Sequence, residues 1–170
     1  MQKQLSRKKF LSLAALSGAL TLALKPLDLL TQTPVVKKPK GDPLASELVK
    51  EWVTVAHGKY DRVKELFAQE PRLLNAAWDW GSGDFETALE AAGHVGNREI
   101  AEFLLANGAR MNIFCAAMLG RLDIVKPTLE AFPNLKTSAG PHGLQLKHHA
   151  AKGGEQALAV MEYLEAIGAA

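Results

Sequence analysis

Thr87–Asn112 reads T-A-L-E-A-A-G-H-V-G-N-R-E-I-A-E-F-L-L-A-N-G-A-R-M-N. Thr87 followed three places later by Glu90 is a capping-box pattern that starts a helix. Ala91 and Ala92 are small enough to let a neighbouring helix approach. Gly96 suits the positive φ of a tight turn. Ile100, Phe103 and Leu104 recur at helical spacing on the far side of that turn. Gly108 then closes the second helix as a left-handed residue after its C-cap. The stretch therefore predicts two short amphipathic helices folded back on each other.

The same plan recurs around Gly58, Gly96, Gly120 and Gly153 or Gly154. Each glycine follows an alanine-rich segment and precedes an amphipathic one. Ile124, Val125 and Leu129 repeat the role of Ile100 and Leu104. Self-similarity at this period marks a stack of helix pairs, none of which can bury its apolar face alone. The apolar content of 48% is ample for a core, and the low aromatic content of 6% favours helix over sheet.

These residues resemble the ankyrin repeat, G-x-T-P-L-H-x-A-A-x-x-G-x-x-x-I-V-x-x-L-L-x-x-G-A-x-x-N. Thr87, Leu89, Ala92, Gly96, Ile100, Leu104, Leu105, Gly108, Ala109 and Asn112 fall on its positions. The resemblance covers residues 44–169. It implies an all-α solenoid of about four helix-turn-helix repeats with irregular fingers, the outer two serving as caps.

The departures from a regular period of 33 residues are specific. The Gly58-to-Gly96 gap is long and contains A-W-D-W-G-S-G-D, residues 77–84. The Gly96-to-Gly120 gap is short, leaving no room for a projecting finger between Gly108 and Ala116. Pro127 falls inside a predicted helix and should kink it. The segment Pro133–Gly143 predicts a long loop.

The first 24 residues read as an export leader. Lys3, Arg7, Lys8 and Lys9 form a basic region, and Phe10–Leu24 is an uncharged run of h-region length. That run is short for a membrane span. Ser6–Leu11 resembles the twin-arginine export motif, with Lys8 in place of the second arginine. Residues 25–43 are a linker rich in proline and lysine. The expected location is the periplasm or cell envelope, or the inner membrane if the leader stays uncleaved as an anchor.

The formal charge of +2 owes four basic residues to that leader, and beyond it acidic residues are in slight excess. No basic cluster marks the repeats, so nucleic acid is not an expected partner. The lone Cys115 lies in an apolar run and reads as a small core residue. No nucleophile elbow, zincin helix, phosphate loop or dinucleotide fingerprint occurs. The expected function is a non-catalytic, monomeric protein-interaction module without cofactor.

Trp78, Asp79, Trp80, Asp84 and His142 are the candidate partner-binding residues. Tryptophan is enriched at interface hot spots, and the resemblance implies that fingers line a binding surface. At least one of the two rings is expected to pack on the repeat edge instead. Trp52 reads as core or cap. His142, His148 and His149 invite a metal reading, but adjacent helical residues point about 100° apart and no acid or cysteine stands at a familiar ligand spacing. His57 and His94, before the inter-helix glycines, read as solvated or capping. Glu86, Glu90, Glu99 and Glu102 read as solvated helix faces. The alternatives are an accessory subunit of an exported redox enzyme, and a small-molecule or metal module at the histidine-rich fourth repeat.

Overall fold

The structure, a computed structural model, describes residues 41–170. The leader and most of the linker lie outside the described residues. The chain is mostly helical: α1 (Ser46–Val55), α2 (Tyr60–Gln69), α3 (Ala88–Val95), α4 (Arg98–Ala106), α5 (Ile113–Met118), α6 (Leu122–Ala131), α7 (Leu146–Lys152) and α8 (Leu158–Ala166). A two-stranded hairpin, β1 (Ala77–Asp79) and β2 (Phe85–Thr87), precedes α3.

The helices form four antiparallel pairs. α1, α3, α5 and α7 pack in succession as an inner row, and α2 meets α4 and α6 meets α8 in the outer row. The predicted turn chemistry holds in detail. Thr87 Oγ1 accepts the Glu90 N–H while the Glu90 carboxylate accepts the Thr87 N–H, which completes the capping box. Gly96 takes φ +83°, and the N–H of Asn97 donates to the Ala92 carbonyl. After α5 the same bond runs from Arg121 N–H to the Ala116 carbonyl. α6 runs on through Pro127, with the Thr128 hydroxyl donating to the Ile124 carbonyl at 2.7 Å.

Two buried clusters hold the stack. The first contains Trp52, Val53, Leu66, Leu73, Leu89, Ile100 and Leu104; the second contains Val125, Leu129, Leu146, Val160 and Leu164. Burying each large side chain contributes roughly 1.5–3 kcal/mol. Phe103 is only partly buried and meets Tyr60 and Phe67 edge-on. Cys115 is fully buried, as its apolar setting predicts, and burial pushes its thiol up to about 12.

The irregular spacing has a structural consequence. The third pair has no hairpin, so α3 of the second pair also packs against α7 of the fourth. Gly96 sits so close to α7 that an added Cβ would lie 2.6 Å from the Lys152 carbonyl oxygen. The loop before α7, closed by an Ala139–Gln145 bridge and a Gly140 N–H bond to Leu144, thereby reaches the hairpin of the second pair.

Candidate metal centre

Four side chains from four separate segments converge at this junction. His57 stands in the turn after α1, Glu86 on β2, His94 in the last turn of α3, and His142 at the tip of the loop before α7. One donor atom from each lies within 4.8 Å of all the others. His94 Nε2 is 3.1 Å from His57 Nε2 and 2.9 Å from Glu86 Oε1. His142 Nε2 is 3.4 Å from the same Oε1.

The register of the hairpin puts Glu86 inside. It pairs with Trp78 across the ladder, so those two side chains share a face with Trp80, two residues along β1's path. Phe85 alternates outward and is 60% exposed. Glu86, by contrast, has no exposed surface. This corrects its reading as part of a solvated helix face: it lies on a strand, and the strand's inward phase buries it.

Three of the four, Glu86, His57 and His142, are held from behind. The Trp80 indole N–H donates to Glu86 Oε2 at 2.8 Å, which leaves Oε1 facing the histidines. His57 Nδ1 lies 3.1 Å from the Val53 and Thr54 carbonyls. A carbonyl can only accept, so the proton sits on Nδ1 and the Nε2 lone pair points into the cluster. His142 Nδ1 lies 2.7 Å from Asp84 Oδ2, which fixes the same tautomer there. His94 Nε2–H is then the donor to His57 Nε2. Histidine backed by a carboxylate or a carbonyl is the usual support of a metal-bound imidazole.

The electrostatics favour a cation. Burial alone would raise the Glu86 carboxyl, but His94, the Trp80 N–H and the nearby His57 outweigh it and hold the group below its usual range. Glu86 Oε1 is buried and has no well-aligned hydrogen bond, although His94 Nε2 lies 2.9 Å from it. A buried, unpaired carboxylate oxygen costs several kcal/mol unless a positive group satisfies it. The main-chain N–H of His142, with its ring N–H, keeps the Asp84 carboxyl below its ordinary value.

No protein-family model, curated protein or solved structure matches this chain. The chemistry of the cluster follows from its donors. Four ligands about 2.1 Å from a common tetrahedral centre stand about 3.4 Å apart, and the separations here run from 2.9 to 3.4 Å among the closest donors. Imidazole with one carboxylate suits divalent first-row transition metals, whereas calcium and magnesium take all-oxygen shells.

The other sequence candidates divide. Trp80, Asp84 and His142 all belong to this centre, two as supports and one as a ligand. Trp78 instead packs on the first core cluster, with Lys50 Nζ 5.6 Å over its ring. Asp79 is exposed and accepts the Gly81 N–H at 2.9 Å, shaping the hairpin turn. Trp52 is core. His148 donates to the His94 carbonyl at 2.9 Å and His149 is buried beside Phe114, so neither joins the cluster. The histidines that accompany His142 are therefore His57 and His94; His57 also caps α1, as expected, through its Nδ1–H on the Val53 and Thr54 carbonyls. The sequence does carry a signal for that pair: each precedes an inter-helix glycine, and equivalent positions of successive pairs are neighbours in a stack.

Proposed function

We propose that this protein binds one divalent transition-metal ion, zinc by preference, through His57, Glu86, His94 and His142. The observation that carries the reading is the buried Glu86 Oε1, left without an aligned hydrogen bond, with His94 Nε2 at 2.9 Å, His142 Nε2 at 3.4 Å and a His57 nitrogen in the same cluster. The ion takes the place of the proton that His94 directs at His57. We place the site within an ankyrin-type stack exported to the cell envelope, on the resemblance and the leader described above.

Metal content and calorimetric titration of tag-free protein test this reading. One zinc per chain is expected, and Glu86→Gln should weaken binding by about two orders of magnitude through loss of the anionic ligand. Absence of stoichiometric uptake, or equal affinity in Glu86→Gln, sinks the proposal.

A second reading, interaction with another protein, draws support from the hairpin beside the site. Phe85 is 60% and Trp80 39% exposed there. Envelope cross-linking with wild type and Phe85→Ala tests it; an unchanged set of captured neighbours removes the hairpin from any interface.

A further inference from the structure

The loop that carries His142 packs on the stack through the buried Pro141 and through Gly140 against Phe114, and reaches the hairpin through few hydrogen bonds. Residues 138–145 join α6 to α7, whose helices belong to the second buried cluster, while Glu86 and His94 border the first. Among the described residues, the hydrogen bonds from this loop to the hairpin both end on Asp84. The His142 N–H donates to Oδ1 at 2.8 Å and the ring Nδ1–H to Oδ2 at 2.7 Å. His142 itself sits at φ +59°, a left-handed conformation that a non-glycine residue holds only when its surroundings impose it. One carboxylate therefore imposes both the backbone and the ring orientation of a ligand.

Resting on the metal-binding reading, we propose that the ion is a removable brace: loading it locks the loop 138–145 onto the hairpin 77–87, and removing it leaves Asp84 as the residue that hydrogen-bonds the loop to the hairpin. The ligands span residues 57 to 142, and a link that closes a long stretch of chain constrains the unfolded state most. With Cys115 as its single cysteine, the chain has no disulfide of its own to make that link. An ion that binds only the closed arrangement shifts the loop toward it by mass action. Asp84 is the positioning residue of this device. It touches no ion, yet it determines whether His142 is available as a ligand.

The experiment is hydrogen exchange by mass spectrometry on the tag-free full chain, stripped with chelator and then compared with and without zinc. Peptides covering 80–87 and 138–145 should exchange on the order of tenfold more slowly with zinc, while those within α4 stay unchanged. Asp84→Asn should weaken zinc binding by about 10–100-fold and speed exchange of 138–145 in the ion-free protein, with zinc restoring protection at saturation. Zinc bound at unit stoichiometry with unaltered exchange in 138–145 overturns the brace and leaves metal binding standing. No uptake at all overturns metal binding itself. The wild-type comparison needs no variant to fold.

Discussion

The second helix pair and the rim beside it obey different rules. In Thr87–Asn112, the residues that match the repeat pattern serve the stack. Thr87 and Glu90 cap, Ile100 and Leu104 fill the core, and Gly96 and Gly108 turn the chain. In the hairpin 77–87 and the loop 138–145, residues sit where stacking alone would not put them. A carboxylate is fully buried at Glu86, and Ser82 and His142 hold positive φ without being glycine. Natural sequences depart from local consistency chiefly at functional sites. The regular pairs carry His57 and His94, and the irregular rim brings Glu86 and His142 to them.

That contrast can be broken by experiment. The largest expected effect is Leu104→Ala, which empties a fully buried position and should cost about 2–5 kcal/mol in denaturant unfolding. Glu86→Gln should move ion-free stability by less than about 1 kcal/mol, because an amide keeps the Trp80 bond and removes a buried charge. If Glu86→Gln unfolds the protein as readily as Leu104→Ala, the division between framework and chemistry is wrong.

Thr87→Ala sits at the boundary. Losing the capping box should cost about 1 kcal/mol, and since Thr87 adjoins Glu86, zinc affinity measured alongside reports whether the cap also steadies the ligand.

How much of this is legible in the residues depends on the region. Helix pairs follow from Gly58, Gly96 and Gly120 and from apolar spacing, because local periodicity determines which face is buried. The missing finger after Gly108 follows from a simple shortage of residues. The proposed metal cluster is not legible as a motif. Its ligands stand at 57, 86, 94 and 142, a spacing set by stacking and by a missing hairpin rather than by one helix or loop. Glu86 reads as solvated in the sequence because Glu90, Glu99 and Glu102 suggest a continuous polar face, whereas a strand reverses the direction of each successive side chain.

The smallest expected effect concerns acid. Asp84 has a depressed folded value, so its contribution is complete above its unfolded value of about 3.9 and is lost as pH falls through the lower folded one. Amide exchange followed by NMR from pH 6 downward should show the His142 N–H losing protection below about pH 4 while Ile100 in α4 keeps it. Simultaneous loss at both positions would mean that rim and framework open as one unit.

The absence of a hairpin from the third pair has a further consequence. Stacked-repeat chains lengthen readily by copying a unit, since each unit touches only its neighbours. Here α3 touches α7 across the intervening pair, so a copied unit placed between the second and fourth pairs would carry His142 away from Glu86. The number of units in this array is tied to its chemistry, and the array cannot grow at that point and keep its site.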